Sequence, residues 1–311
     1  MKYSILIPTY KVKYLKECID SVLSQTVSDF EVIIVNDASP ENIREIIDLY
    51  DDSRIKYYTN QKCCGALNVV DNWNISLSYA EGDFVICMGD DDCLAEDCLE
   101  QYDLLMTQYP DLDLYHGMVK IIDENSEFIK LQESRPAYES AYSMIWHKMN
   151  GRIQYIGDYL YRRSELIRNG GFYKQPLAWG TDNISAYIAA ARRGVANTYK
   201  PIFHYRSHQN TITKSGNYIT KIKAIKTEKE WIKNFIITNP PQNEMDNYYI
   251  KMISERIDPY YLKQKLYLVA HDMCDNGIIR LFYWLHCDES CSIPQILFAL
   301  TESVKMKNKR R

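Results

Sequence analysis

The 311-residue sequence predicts an α/β protein built on a mainly parallel sheet with helices on both faces and followed by a helical appendage. Three observations carry that reading. Strand-like and helix-like stretches alternate from the start, as right-handed crossovers between parallel strands require. Phe30 begins a continuous apolar run, FEVIIV, of the kind found in a strand covered on both faces. The stretch GDFVICMGDDD, which begins at Gly82, reads as a buried strand running into three successive carboxylates, Asp90, Asp91 and Asp92.

The elements follow in order. Residues 3–7 are the first predicted strand, ended by Pro8. Leu15, Cys18, Ile19, Val22 and Leu23 recur at helical spacing and give a helix with one core face. Residues 30–35 form the second strand, closed by Asn36 and Asp37. Ser39 and Pro40 have the chemistry of an N-cap and first helical residue, ahead of the stripe Ile43, Ile46, Ile47 and Tyr50. Residues 55–58 and 83–88 are the third and fourth strands, and Leu67, Val70, Trp73 and Leu77 mark a helix between them. Residues 96–109 read as the next helix and 112–122 as two strands, followed by a hairpin turn at Glu124-Asn125-Ser126. After an aromatic-rich stretch over 138–161, Asp182 opens a helix reaching about Arg193, and residues 195–205 are extended. Beyond Gly216 lysines alternate with apolar residues and the chain turns helical. The predicted boundary therefore divides 1–215, with halves of about 1–110 and 111–215, from 216–311.

Composition narrows the function. A formal charge of −4 argues against a general nucleic-acid binder, which would carry a basic face. Met1-Lys2-Tyr3 leads straight into a strand without the apolar core of a signal peptide, and no run of about 18 uncharged apolar residues predicts a membrane span. Nine cysteines at irregular spacing read as reduced thiols of a cytoplasmic protein. His271, Cys274, His286, Cys287 and Cys291 lack the paired knuckles of a zinc site and are expected as helix residues. Neither a dinucleotide fingerprint nor a P-loop follows the first strand.

The chemistry is expected where parallel strands end, because ligands of open α/β sheets bind beyond the carboxyl edge. Pro8-Thr9-Tyr10, Asn36-Asp37-Ala38 and residues 89–92 are the loops at that edge. Three adjacent carboxylates repel one another unless a cation arrives. Mg²⁺ or Mn²⁺, held by one or two carboxylates and substrate phosphates, is one reading; an acidic turn capping the next helix is the other.

With those residues laid out, the sequence resembles the inverting nucleotide-sugar glycosyltransferases of family 2, which have the GT-A fold. The likeness rests on SILIPTYK, SVLSQT, FEVIIVNDASPE, NWNISLSYAEGDF, the acidic turn, GTD and YRSHQNTIT, and covers about two thirds of the chain. It implies that Pro8, Thr9 and Tyr10 line a nucleotide pocket and that Asp37 accepts a hydrogen bond from a pyrimidine base such as uracil. It further implies that Asp91 holds Mn²⁺ or Mg²⁺ against the diphosphate, with Asp90 at the ribose or metal and His208 near the diphosphate or metal. Asp182 would be the catalytic base, and Trp179 offers a ring on which an acceptor sugar can stack. The chain departs from the family pattern at Gly89, where many members carry the first acid of D-x-D, and at Thr181, where an acid often precedes the base.

The expected activity is transfer of a sugar from a UDP donor to a glycan or lipid-linked glycan in cell-surface polysaccharide synthesis. Two alternatives remain at this point: a nucleotidyltransferase, which would normally show a basic glycine-rich loop after the first strand, and a non-catalytic sugar-nucleotide-binding protein on the same fold. The basic end, Lys305, Lys307, Lys309, Arg310 and Arg311, follows the last acid, Glu302, and predicts peripheral contact with the inner face of a membrane.

Overall fold

The computed structural model describes residues 1–208, 217–277 and 279–310. The boundary predicted after residue 215, residues 209–213 of the YRSHQNTIT stretch, and Arg311 lie outside the described residues. The chain forms two compact units, Met1–Lys214 and Ser215–Arg311.

In the first unit, β1 (Tyr3–Thr9), α1 (Leu15–Leu23), β2 (Phe30–Asn36), α2 (Ile43–Ile47), β3 (Ile55–Thr59), α3 (Val69–Ser78) and β4 (Phe84–Cys87) alternate as expected. There follow β5 (Cys93–Leu94), α4 (Cys98–Gln108), β6 (Leu114–Ile122), β7 (Phe128–Leu131), β8 (Tyr138–Glu139) and α5 (Ala141–Met149). Then come β9 (Tyr159–Arg162), α6 (Arg163–Arg168), α7 (Thr181–Ala190) and β10 (Val195–Arg206). The sheet order is β3-β2-β1-β4-β9-β6-β10-β5, with β7 beside β6 and β8 beside β10. Pairing is parallel through β3, β2, β1 and β4, so these strands end together at one edge. Beyond β4 the sheet is mixed: β9 runs antiparallel to β4 and β6, and only β6 with β10 is parallel.

Burial explains why these segments are strands. Every residue of β2 and β4 is buried, which only a sheet covered on both faces allows. Tyr3, Ile5 and Ile7 of β1 join Phe84 and Ile86 of β4 in one core with the inward faces of α1, α2 and α4. Asn72 of α3 reaches the carbonyl of Val35 at 3.3 Å and so holds that helix to β2.

Several boundaries differ from expectation. β1 runs through Pro8 to Thr9. Its neighbours donate to the carbonyls of Leu6 (from Met88 N, 3.0 Å) and Thr9 (from Asp37 N, 3.0 Å), so the missing proline N–H costs the ladder little. Ser39 does not cap α2, whose N-cap is Asn42; it accepts from Glu41 N at 3.0 Å and donates to Tyr10 O at 2.6 Å, tying two loops together. The residue ahead of α4 is Asp97, because β5 stands between the acidic turn and that helix. Residues 114–122 form one long strand, not two, followed by the predicted hairpin.

The second unit is helical: α8 (Tyr218–Thr238), α9 (Glu244–Asn276), α10 (Arg280–His286) and α11 (Ile293–Arg310). Ile222, Val269, Ala270, Met273, Trp284, Cys291, Ile296 and Ala299 form its core. Cys274 is also buried, and all nine cysteines of the chain are free thiols. No described helix is long and apolar enough to cross a membrane.

Candidate functional site

The parallel edge brings the predicted loops together through side-chain hydrogen bonds. Asp90 Oδ2 accepts from Thr9 Oγ1 (2.8 Å), Tyr10 N (2.8 Å) and Lys11 N (3.0 Å), pinning the loop after β1 to the loop after β4. Tyr10 itself is 43% exposed at the surface of this edge. Burial, then the neighbouring Asp91, pushes the Asp90 carboxyl up, and these three donors only partly offset the effect.

Asp37 follows β2 and is 5% exposed. It accepts from Cys64 N (2.8 Å), Asn60 Nδ2 (2.9 Å), Gly65 N (3.2 Å) and Cys63 Sγ (3.3 Å). Burial pushes its carboxyl up, but the Cys64 amide and the Asn60 and Cys63 side chains outweigh burial and hold it below the usual range. Asp37 is therefore an anchored, buried anion just beyond the end of β2. Next to it Ala38 has φ 49°, a left-handed conformation that side chains rarely adopt without a constraint from their surroundings.

The acidic turn is held from the other half of the sheet. Asp92 Oδ1 accepts from Arg206 N at 2.9 Å, and Arg206 Nε donates to the carbonyl of Asp91 at 2.7 Å. The Arg206 guanidinium, fully buried, also pairs with Glu17 of α1 (2.8 Å), donates to Ser126 of the hairpin (2.8 Å) and lies 4.4 Å over the Tyr14 ring. Asp91 Oδ2 faces His208 Nε2 at 2.6 Å, and the His208 ring lies 5.4 Å from that of Tyr14. Burial and the charge of Asp91 raise the Asp92 carboxyl well above its ordinary value. Gly89 makes room for this turn: a Cβ there would stand 2.5 Å from Asp91 Oδ1 and 3.1 Å from Asp92 Oδ2. A side chain at position 89 would therefore require the Asp91 carboxylate to move.

Asp182 sits in the first turn of α7, where the helix dipole favours negative charge. Burial nevertheless dominates and pushes its carboxyl up to about 6, against the pull of Lys148 and the Asn183 amide. The approach to it is constrained: Leu177 (φ 61°), Ala178 (φ 51°) and Gly180 (φ 81°) are left-handed, and Trp179 between them is half-buried.

Two tyrosines link the acidic groups. The rings of Tyr155 and Tyr205 stack with centroids 3.9 Å apart at 25°. Burial and the charges of Asp92, Asp91 and Asp182 push the Tyr205 hydroxyl up to about 12, and Tyr155 is acted on by both Asp92 and Asp182. Acids 90 residues apart in the chain thus act on one aromatic pair.

Among the described residues, no group of three or more His, Cys, Asp or Glu is arranged to hold a metal alone. Asp91 and His208 are a carboxylate oxygen and an imidazole nitrogen side by side. That donor pair fits Mn²⁺ or Mg²⁺ completed by substrate phosphates, since such ions are commonly bound through few protein ligands. Residues missed in the sequence are Arg206, which stood inside the quoted YRSH stretch, the Asn60-Cys63-Cys64 ring around Asp37, and the Tyr155–Tyr205 stack. Among them only Arg206 and Tyr205, both in the YRSH stretch, lay in a motif that could have singled them out.

A family model described as glycosyl transferase family 2 matches residues 4–168, more than half of the chain. Among curated relatives, the uncharacterized glycosyltransferase EpsJ of Bacillus subtilis is 27% identical over 219 residues, 68% of this chain and 62% of that protein. The Escherichia coli protein WfgD, named as a UDP-Glc:α-D-GlcNAc-diphosphoundecaprenol β-1,3-glucosyltransferase, is 32% identical over 124 residues, 40% of this chain and 47% of that protein. The matches therefore span less than two thirds of these relatives' own length. Among solved structures, TarS 1-349 of S. aureus in complex with UDP-GlcNAc superposes with TM-score 0.64 at 14% identity, covering 99% of this chain and 89% of that one. The mannosyltransferase PcManGT of Pyrobaculum calidifontis, in complex with GDP-Man and Mn²⁺, gives TM-score 0.53 at 16% identity over 100% of this chain and 88% of that one. Both likenesses are of fold.

Proposed function

The chain belongs to glycosyl transferase family 2, and from that premise we propose an inverting, metal-dependent transferase that moves a sugar from UDP to a hydroxyl of a glycan or lipid-linked glycan. The process served is cell-surface polysaccharide synthesis. The observation that carries the reading is the Tyr155–Tyr205 pair, on which the acids of the metal turn and Asp182 both act. That shared influence supports a donor-binding wall and a base-bearing wall around one space, which binding alone would not require.

Pro8, Thr9 and Tyr10 line the nucleotide pocket, and Asp37, kept ionised by its donors, accepts the imide N–H of uracil. Asp91 and His208 are the protein's metal donors. Asp90, one oxygen of which ties the first loop, offers the other to the ribose or the cation. A divalent ion there would supply Lewis-acid stabilisation of charge gathering on the departing diphosphate. Asp182 takes the proton of the acceptor hydroxyl while the new bond forms from that oxygen to the anomeric carbon. The carbon–oxygen bond to the β-phosphate breaks on the opposite side, UDP leaves with the electron pair, and the centre inverts. A base near pH 6 is mostly ionised at neutrality, and such proton removal contributes roughly 10²–10⁴-fold. Trp179, beside Asp182, offers the acceptor sugar an apolar face. A nucleotide-sugar donor and free thiols suit the cytoplasmic side, and the basic end of the chain suits peripheral contact with its membrane.

The test is product analysis with UDP-sugars, Mn²⁺ and glycan acceptors. Release of UDP that is lost in both Asp91→Ala and Asp182→Ala, with folding intact, is the expected result. Pyrophosphate release would make the chain a nucleotidyltransferase, and UDP affinity without turnover would make it a binding protein.

A further inference from the structure

The second unit exposes more apolar surface than its own packing uses. α10 is fixed by Trp284, which is fully buried and whose Nε1 donates to Asp272 Oδ2 at 2.6 Å; Arg280 Nε joins the same carboxylate at 2.7 Å. With Trp284 turned inward, Phe282 (68% exposed) and Tyr283 (39%) face outward. α11 already has an inner face in Ile296, Ala299 and Ser303, all buried. It nonetheless carries a second apolar stripe, Ile293 (69% exposed), Leu297 (58%) and Val304 (52%), which falls within about 40° of one line on a 3.6-residue helix. Lys305 and Lys307 are exposed at the end of this stripe, and the sequence has no acid after Glu302.

We infer that α10 and α11 form a lipid-binding face that inserts its apolar residues at the surface of an anionic membrane. Charge complementarity selects that occupant: an apolar stripe with Lys305 and Lys307 exposed at its end matches acyl chains beneath anionic headgroups, and the sequence continues with the basic residues Lys309, Arg310 and Arg311. Packing two copies along the same stripe in parallel would set those basic ends side by side. The inference rests on the membrane contact proposed above and deepens it from electrostatic attraction to insertion, and it is independent of the donor chemistry.

The test is flotation of the full chain with vesicles of phosphatidylcholine alone or with phosphatidylglycerol. Binding to the anionic vesicles that persists in part at high salt is expected. Leu297→Gln and Val304→Gln should each weaken it by about tenfold, and Phe282→Gln similarly. Lys305→Gln and Lys307→Gln should each weaken it by about fivefold. These exposed positions lie outside the proposed catalytic residues, so UDP binding and thermal stability serve as folding controls. Binding abolished by salt and indifferent to Leu297→Gln would overturn insertion while leaving the electrostatic contact in place. No binding to either vesicle would overturn both. Self-association of the wild-type chain that Leu297→Gln removes, without vesicle binding, would assign the stripe to a second copy.

Discussion

Asp182 meets two demands that pull in opposite directions. As a base it must be ionised, so kcat/KM should rise by one proton's slope through about pH 6 and level off above it. Lys148→Met removes a charge that lowers the Asp182 pKa and should move that limb to higher pH; a pH–rate profile decides. For folding the sign is reversed. The folded carboxyl lies above its ordinary 3.8, so its contribution to stability is complete below about pH 4 and is lost as the pH rises through about 6. Asp182→Asn should therefore abolish transfer and yet raise Tm at pH 7.5, by about 2–4 °C for about 1 kcal/mol, with the gain vanishing toward pH 4. A lower Tm at pH 7.5 would contradict a burial-dominated Asp182. Gly89 poses a simpler steric problem. In Gly89→Ala the added methyl, 2.5 Å from Asp91 Oδ1, has to displace that carboxylate from His208. Mn²⁺-dependent UDP affinity, measured by calorimetry, should fall roughly 10–100-fold, the usual cost of misorienting a metal ligand.

At the scale of elements, Arg206 is where β10, α1, the β6–β7 hairpin and the acidic turn meet. Its planar fork reaches Glu17, Ser126 and the Asp91 carbonyl at once, which an ammonium cannot do. Arg206→Lys should cost about 1–3 kcal/mol in urea unfolding, because the buried ammonium that replaces the fork cannot satisfy the Asp91 carbonyl, Glu17 and Ser126 together. The strands themselves were legible because burial on two faces writes itself as apolar runs, and the edge loops were legible because they follow those runs. Boundaries set by hydrogen bonds were not. Pro8 looked like a stop, yet its neighbours need only the carbonyls around it, and Ser39 looked like a cap but bonds Tyr10 instead. The ring around Asp37 comes from residues 23 to 28 positions away, and nothing in their spacing announces the contact. The left-handed pair Leu177 and Ala178 is equally silent in sequence, since neither residue type favours that conformation.

For the whole molecule, the two units have separate cores, one around β1, β2 and β4 and one around Trp284, and the proposed donor pocket belongs entirely to the first. A ligand that binds only the folded pocket stabilises it by mass action, about 2.7 kcal/mol at a concentration 100 times its Kd. For a unit of this size that corresponds to roughly 5–10 °C in Tm. UDP with Mn²⁺ should therefore raise the melting temperature of the first unit and leave any separate transition of the helical unit unmoved. EDTA should remove most of the shift, because the diphosphate then meets Asp90, Asp91 and Asp92 without a cation between the like charges. Asp91→Ala should abolish the Mn²⁺-dependent part and Asp37→Asn should shrink the whole shift, since the first removes a metal donor and the second the anion proposed to read the base. A Tm shift of equal size with EDTA present, or one retained in Asp91→Ala, would separate nucleotide binding from the metal and dissolve the proposed link between the acidic turn and the diphosphate.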